Sequence, residues 1–324
     1  MHNVRLSRRE FLSRTGKAAG LAALTSTAGL ALHVRDPRPF DEDETKPLVR
    51  DLRIAGLAPR LAVVHGEDPA LLARASIEKL GGMGTFIKRG DVVVVKPNIG
   101  WDRMPEQAAN TNPAVVREII QLCLAAGAAK VIVTDVTCNE TERCFQRSGI
   151  ARAAEEAGAE VRRPRESDFT EVNTGGVMLG KQPVLKSFLE ADKVINVPIA
   201  KHHSLTGTTL ALKNLYGIIS GNRSRLHQDI HNSLADLGNF LRPTLTVVDA
   251  FRILRRNGPQ GGNLADVEYT KTLVACADTV AADAYAAETF FGLTSDRLNY
   301  LGFAQERGLG TADYRTLPID EFTV

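Results

Sequence analysis

Asp91-Val92-Val93-Val94-Val95-Lys96-Pro97-Asn98 is the stretch that decides the fold of this 324-residue chain. Its four consecutive valines favour an extended strand, because β-branched side chains fit a pleated sheet. A strand with one face in water would alternate apolar and polar residues, and this run contains no polar residue. The strand is therefore predicted to be buried on both faces, which is typical of a parallel sheet covered by helices.

The residues after this strand predict a helix and then a second strand. Asn112 suits the N-cap of the helix and Pro113 suits its first turn, while Gly127 marks its end. Residues 131–133, Val-Ile-Val, form the next short apolar run. This alternation predicts an α/β fold: a mostly parallel sheet with helices on both faces, built from βαβ units.

The remaining apolar runs extend the same pattern along the chain. Further strands are predicted at residues 61–64, 193–199, 245–248 and 272–277, and further helices at residues 70–80 and 150–157. Residues 162–183 contain several glycines and prolines and break this rhythm. They predict either a short β excursion or the edge of a small subdomain.

Polar residues follow four of the predicted strands. Lys96 and Asn98 follow the valine run, Asp135 follows the next strand, Lys201-His202-His203 follows residues 193–199, and Asp249 follows residues 245–248. Ligands of open parallel sheets bind outside the carboxyl ends of the strands. We therefore expect these residues to meet in one site for a small anion or an acid–base pair.

A second group of candidates follows Lys201 in the sequence. Thr206-Gly207-Thr208-Thr209 is rich in hydroxyls that bind anionic oxygens, and Lys213-Asn214 comes shortly after. We assign catalytic roles to His202, Lys201, Lys213 and Asp249. We assign substrate-binding roles to Lys96, Asn98, Asp135, Thr208 and Asn214. The alternative is a polar loop that only caps the following helix.

His227 and His231 are four residues apart, which places both on one face if the segment is helical. That spacing suits a divalent metal with a third ligand from Asp229, His202 or Asp249. Acid–base work by the same histidines without a metal is an equal alternative. Cys138 and Cys144 are candidates for a disulfide, with free thiols as the alternative.

The N-terminal residues predict export. Ser7-Arg8-Arg9-Glu10-Phe11-Leu12 precedes a weakly apolar run over residues 18–31, the layout of a twin-arginine signal. We expect residues 1–31 to be the signal, 32–47 a flexible linker and 48–324 the α/β domain. This predicts a periplasmic or otherwise extracytoplasmic protein, with the twin-arginine machinery as a partner. The run of 14 residues is shorter than the roughly 20 that span a bilayer, so no stable membrane span is expected in the mature form.

The charge of the chain argues against a nucleic-acid partner. Five of the 40 basic and one of the 38 acidic side chains lie in residues 1–31, so the remainder carries a net charge of about −2. A protein that binds the phosphate backbone by charge normally has a basic patch or stripe.

Several of these segments together resemble the domain of unknown function 362 family. The most specific part is Asn196-Val197-Pro198-Ile199-Ala200-Lys201-His202 followed by Leu212-Lys213-Asn214-Leu215-Tyr216-Gly217. Asp278-Thr279-Val280-Ala281-Ala282-Asp283-Ala284 is similar to a second motif of the family. The resemblance covers residues 60–310 and implies an α/β fold without a settled activity. Many relatives carry a ferredoxin-like cysteine cluster, and this chain lacks it, which argues against an iron–sulfur cluster here.

These observations favour an exported enzyme that acts on a small anionic substrate, with a divalent metal as an open option. The alternatives are a ligand- or cofactor-binding maturation factor without turnover, and an electron-transfer protein that lacks its iron–sulfur domain. The sequence does not identify the cofactor or the reaction.

Overall fold

The computed structural model describes residues 46–324, of which Pro47–Val324 form one compact unit. Its strands are β1 (Arg50–Asp51), β2 (Leu61–His65), β3 (Val92–Pro97), β4 (Lys130–Val133), β5 (Glu160–Val161), β6 (Phe169–Asn173), β7 (Lys181–Leu185), β8 (Lys193–Val197), β9 (Ile199–His203), β10 (Gly207–Thr209), β11 (Leu241–Arg242), β12 (Leu245–Leu254), β13 (Val267–Glu268), β14 (Thr272–Cys276) and β15 (Ile319–Thr323). Its helices are α1 (Pro69–Lys79), α2 (Pro113–Ala125), α3 (Thr141–Arg147), α4 (Ile150–Glu156), α5 (Lys186–Glu190), α6 (Ala211–Asn214), α7 (Arg223–Leu226), α8 (Ile230–Phe240), α9 (Thr279–Phe291) and α10 (Asn299–Glu306). The predicted signal and most of the predicted linker lie outside the described residues.

The main sheet is mostly parallel, as predicted. Its strand order is β15-β2-β14-β12-β8-β3-β4-β5. Every neighbouring pair in that order is parallel except the two that β14 makes, which are antiparallel to β2 and β12. At the β15 edge, Ile319 lies opposite Leu61, so the sheet joins strands from distant parts of the chain.

The valine run forms the centre of this sheet and is buried on both faces, as predicted. Val94 packs into the core on one face, whereas Val93 and Val95 pack into the core on the other. Helices α1 to α4 cover the face of Val93, and α5 to α10 cover the face of Val94. Because successive side chains of a strand point to opposite faces, a strand buried on both faces needs apolar residues at every position.

The predicted start of α2 is confirmed in detail. The Asn112 side chain accepts a hydrogen bond from the backbone N–H of Ala114, and Pro113 occupies the first turn. After the helix, Gly127 has φ 98°, a left-handed conformation that favours glycine. The sequence signals therefore act here through backbone hydrogen bonds and conformation.

Two segments differ from the simple strand predictions. The run predicted at residues 193–199 divides at Pro198 into β8 and β9, and β9 continues to His203. The run predicted at residues 245–248 extends to Leu254, so Asp249 lies within β12 and not at its end. The excursion at residues 162–183 is an antiparallel hairpin of β6 and β7.

The order of the strands creates one topological switch point. The chain moves from β3 outward to β4 and β5, and then returns to place β8 on the other side of β3. The crossover connections therefore leave β3 in opposite directions and open a crevice at the carboxyl ends of β3 and β8. Separately, no helix among residues 46–324 is long and apolar enough to cross a membrane.

Candidate functional site

A cleft of about 420 Å³ lies at this switch point. It is lined by the segments that follow β3 and β4, by β9 and β10, and by the α6–α7 region. Seven of the eleven predicted site residues line it or form its base: Lys96, Asn98, Asp135, Lys201, Lys213, Asn214 and His227. The structure therefore brings most of the predicted residues together in one region and separates the others from it.

We call the buried polar network at the base of the cleft the floor, and its first part is an ion pair. Lys96 Nζ donates to Asp135 Oδ1 at 2.8 Å, and Asp135 Oδ2 accepts from the backbone N–H of Ile99 at 2.6 Å. Burial lowers the pKa of Lys96 and raises that of Asp135, and the opposite charge of each partner counteracts the shift of the other. A Cβ on Gly217 would lie 1.6 Å from Asp135 Oδ1, so only glycine fits against this pair.

The second part of the floor is an amide network that ends on a lysine. Asn214 Nδ2 donates to Asn196 Oδ1 at 2.8 Å, and Asn98 Nδ2 donates to Asn214 Oδ1 at 3.0 Å. Lys201 Nζ donates to Asn98 Oδ1 at 2.9 Å and to the Ala109 carbonyl at 2.6 Å. Burial lowers the pKa of Lys201 to about 7. The floor thus uses most of its hydrogen-bonding capacity internally and fixes the position of Lys201.

The side chains above the floor, which we call the wall, are Lys213, Arg223, Thr209, His203, His227 and Tyr216. Lys213 Nζ lies 3.8 Å from the centre of the Tyr216 ring, a cation–π contact. Arg223 donates to the carbonyls of Val136 and Thr137 at 3.2 and 2.8 Å. Burial lowers the pKa of Lys213 to about 8, and the charge of Arg223 adds to that effect.

The cleft contains charged and polar groups that have no counter-ion or no hydrogen-bond partner. Lys201, Lys213 and Arg223 make no ion pair with any carboxylate in the described part of the chain. The hydroxyl of Thr209 is buried at 3% exposure and has no hydrogen-bond partner among residues 46–324. Because Thr209 lies opposite Lys201 in the β9–β10 hairpin, both side chains point to the cleft.

The two cleft histidines hold their protons on different nitrogens. The backbone N–H of Leu205 donates to His203 Nδ1 at 3.1 Å, so the proton of neutral His203 is on Nε2. His227 Nδ1 lies 2.8 Å from the Arg223 carbonyl, which only accepts, so His227 Nδ1 carries the proton and Nε2 is free. Burial lowers the pKa of His203 to about 3 and also lowers that of His227, so both rings are neutral at pH 7.

Four predicted site residues do not line the cleft, and three of them lie on β9, β10 and β12. His202 and Thr208 lie opposite each other on the other face of the β9–β10 hairpin, where His202 Nδ1 accepts from the Gly258 backbone. Asp249 is buried within β12, and its oxygens accept from the backbone N–H groups of Asn112 and Phe251. The three side chains therefore lie outside the cleft: His202 and Asp249 accept from backbone N–H groups elsewhere, and Thr208 is buried on the far face of the hairpin.

The two histidines predicted as a metal pair do not share a helix. His227 follows α7, and His231 lies in α8, where its ring stacks on Tyr300 at a distance of 6.2 Å. The condition for the four-residue spacing is therefore not met. No group of three His, Cys, Asp or Glu side chains suited to a metal occurs within the described range. A metal on these histidines stays a prediction, which elemental analysis of the purified protein tests.

The cysteines near the cleft are free thiols. Cys138 is exposed and lines the cleft, whereas Cys144 is buried beneath it. Of the two alternatives from the sequence, the structure has the free thiols.

The sequence analysis assigned no individual role to Thr209, His203, Tyr216 or Arg223, which line the cleft. A period-two reading of Lys201-His202-His203 as a strand places His203, and not His202, beside Lys201. The same alternation selects Thr209 over Thr208. Arg223 offered no signal, because it reaches the cleft only through the path of the segment between α6 and α7.

A second cavity, of about 480 Å³, lies beside Asp51, Arg53 and Asp278. Asp51 pairs with Arg53 at 2.6 Å, and Asp278 accepts from the backbone N–H groups of Ala281 and Thr311. Its charged groups are thus already satisfied, unlike those of the wall.

The fold and the cleft define a class of protein: an open, mostly parallel α/β sheet with a cationic cleft at its topological switch point. Within that class, the chain belongs to the family described as Domain of unknown function (DUF362), whose model matches residues 93–288. That range contains every floor and wall residue named above. The resemblance inferred from the sequence motifs is therefore confirmed.

The chain is also similar to two individual proteins. It is 27% identical over 227 residues to the thylakoid-associated protein sll1697 of Synechocystis sp.. The aligned region covers 67% of this chain and 69% of that protein. It has a TM-score of 0.43 and 14% identity to the structure of the lactate racemase apoprotein from Thermoanaerobacterium thermosaccharolyticum. That match covers 75% of this chain and 60% of the other.

Proposed function

We propose that this protein is an enzyme that binds a small organic anion in the cleft between the floor and the wall. One observation carries the proposal: Lys201, Lys213 and Arg223 line one cleft, and none pairs with a carboxylate in the described chain. The acidic side chain beside them, Asp135, is already paired with Lys96. The cleft therefore has an excess of positive charge that an anion would balance.

Energetics support this assignment. Removing a cation from water costs several kcal/mol unless a counter-charge or hydrogen bonds compensate it. The floor compensates Lys201 only with neutral carbonyl oxygens, and Lys213 contacts the face of an aromatic ring. The unpartnered hydroxyl of Thr209 supplies a further donor to an anionic oxygen. A bound carboxylate or phosphate would satisfy all of these groups together.

The histidines supply the acid–base chemistry of the proposal. Neutral His227 presents a free Nε2 that accepts a proton, and neutral His203 presents an Nε2–H that donates one. Their opposite tautomers suit them to different halves of a proton transfer. This assignment replaces His202, whose Nδ1 accepts from the backbone of Gly258 on the other face of the hairpin.

Anion binding is tested by calorimetric titration of the purified protein with phosphate, malonate and pyruvate. We expect at least one of these to bind, and Lys213→Met to lose most of the affinity. The matched control is Lys181→Met, because Lys181 is exposed on the β6–β7 hairpin outside the cleft. Equal affinity in wild type and Lys213→Met would show that the anion site is wrongly placed. Binding without turnover of any ligand would favour a binding or maturation factor.

We also propose that the protein is exported by the twin-arginine route, on the basis of residues 7–12 and the apolar run that follows. The test replaces Arg8 and Arg9 together by lysine, which keeps the charge, and measures the mature protein in the periplasmic fraction. Retention of the double variant in the cytoplasm supports the proposal. Unchanged export would contradict it, and Arg5→Lys is the matched control.

A further inference from the structure

We propose that Lys213 is a nucleophile that forms an imine with the carbonyl group of a 2-oxo carboxylate. This inference rests on the proposed anion site and names its substrate class. The Lys213 side chain is suited to this role because it lines the cleft and its amine has no partner that would compete with a substrate. Lys213 Nζ faces the cleft over the Tyr216 ring, and it has no hydrogen-bond acceptor or carboxylate partner among residues 46–324.

The other two lysines of the site are occupied. Lys96 Nζ donates to Asp135 and to the Pro97 carbonyl, beneath the cleft. Lys201 Nζ donates to Asn98 and to the Ala109 carbonyl, and its side chain is 1% exposed. Of the three lysines, Lys213 alone both lines the cleft and has an Nζ that donates to no oxygen among the described residues. It is therefore the amine that a ligand reaches.

The surroundings of Lys213 fix where the ligand's carboxylate lies. Lys201, Arg223 and the free hydroxyl of Thr209 line the same cleft and together form the anion-binding part. In a 2-oxo acid the ketone or aldehyde carbon is bonded directly to the carboxylate carbon. Anchoring the carboxylate on these residues would therefore present the carbonyl carbon to a neighbouring amine, which lowers the entropic cost of attack.

The step is balanced without an oxidant or a reductant. The lone pair of neutral Lys213 Nζ forms a bond to the carbonyl carbon while the π pair of the C=O bond moves onto oxygen. The two amine hydrogens pass to that oxygen through water in the cleft, and the oxygen leaves as water. The products are a neutral imine and one water molecule. The imine nitrogen then takes a proton from water, and the Tyr216 ring face stabilises the resulting cation as it does the ammonium.

The electrostatics of the wall favour the reactive form of this amine. Burial lowers the pKa of Lys213 to about 8, and the neighbouring cations Arg223 and Lys96 contribute to the shift. A substantial fraction of Lys213 is thus neutral near pH 8, whereas an ordinary exposed lysine remains protonated there.

The test is reductive trapping of the purified protein with sodium cyanoborohydride and, in turn, glyoxylate, pyruvate and 2-oxoglutarate. With at least one acid we expect an adduct on Lys213, equal in mass to the acid less one oxygen atom, by peptide mass spectrometry. Lys213→Arg should lose it, because arginine keeps the charge but is not a comparable nucleophile. Lys181→Arg, the exposed control, should keep it. No adduct on Lys213 with any of the three acids would overturn the inference.

A parallel titration separates this inference from the proposed function. Malonate carries carboxylates but no ketone, so it reports on anion binding alone. Malonate binding to both wild type and Lys213→Arg, with no trapping of wild type, would overturn the imine and leave the anion site intact. If wild type neither binds malonate nor forms an adduct, both the imine and the proposed anion site are overturned. Adducts spread equally over Lys213 and Lys181 would count as non-specific modification and also overturn the imine.

Discussion

The floor and the wall of the cleft contain the same kinds of side chain and differ in what those side chains contact. Lys96 of the floor is buried against Asp135, and Asn214 donates within a chain of amides. Lys213 and Thr209 of the wall donate to no acceptor among residues 46–324. The comparison teaches that a polar residue at a strand end indicates a site only where its hydrogen bonds are unused. We expect floor variants to lose stability and wall variants to lose binding.

The largest effect is expected in the floor. Asp135→Asn removes the charge that balances Lys96 and leaves a buried ammonium without a counter-ion. We expect the free energy of unfolding to fall by about 3–5 kcal/mol, measured by urea denaturation. Adding Lys96→Met to this variant should restore part of the loss, because both charges are then gone. A loss below about 1 kcal/mol, as for an exposed ion pair, would contradict the assignment of the pair to the buried floor.

A smaller effect, on binding only, is expected in the wall. Lys213→Met removes a charged group that contacts the anion, an interaction that contributes about 1.5–3 kcal/mol. Affinity should therefore fall roughly 10- to 100-fold by calorimetry. The free energy of unfolding should stay level or rise, because an unpaired cation is replaced by an apolar side chain. A fall in stability like that of Asp135→Asn would erase the distinction between floor and wall.

The pH dependence of binding provides a third test. Anion binding needs protonated lysines, and burial lowers the pKa of Lys201 to about 7 and that of Lys213 to about 8. Affinity should be highest below pH 7 and fall as the pH rises through 7 and 8, by at most about tenfold per pH unit for each lysine. The stability of the ligand-free protein depends on pH in the opposite direction. Because the unfolded chain protonates these lysines first, its free energy of unfolding falls as the pH falls from 10.5 toward 7. Affinity that stays constant from pH 6 to 9 would rule out lysine-dependent binding.

The smallest expected effect separates two adjacent threonines. Thr209→Val removes the unpartnered hydroxyl that lines the cleft and should weaken anion binding by about 1 kcal/mol, or roughly fivefold. Thr208→Val makes the same chemical change on the opposite face of β10, so its affinity should equal that of wild type. Calorimetry on the pair with one anion decides the outcome. If Thr208→Val had the larger effect, the cleft would lie on the other face of the hairpin.

The sequence predicted the central architecture because its signals are local. The valine run, the Asn112 cap and the alternation of strands and helices each specify backbone conformation within a few residues. The position of the cleft followed from the same reasoning, since the carboxyl ends of parallel strands share one edge of the sheet. Lys96, Asp135 and Lys201 therefore meet there although they are far apart in the chain.

The roles of individual residues could not be predicted, because they depend on contacts that the sequence does not contain. Asp249 follows an apolar run just as Asp135 does, yet β12 continues past it and its oxygens bind backbone N–H groups. His227 and His231 have helical spacing, yet α7 and α8 are separate helices. In the first case the strand extends past the residue, and in the second a break separates the two helices.

The pairing of β15 with β2 has a consequence for the order in which the molecule forms. Leu61–His65 is synthesised early, and the strand that covers its outer edge, Ile319–Thr323, is synthesised more than 250 residues later. Until then β2 presents an open row of amide and carbonyl groups, the kind of edge that pairs with other chains. Contacts between such distant segments also slow folding. A nascent chain that carries the whole cleft thus still has an unfinished sheet, and a chaperone that shields β2 during translation would protect it from aggregation.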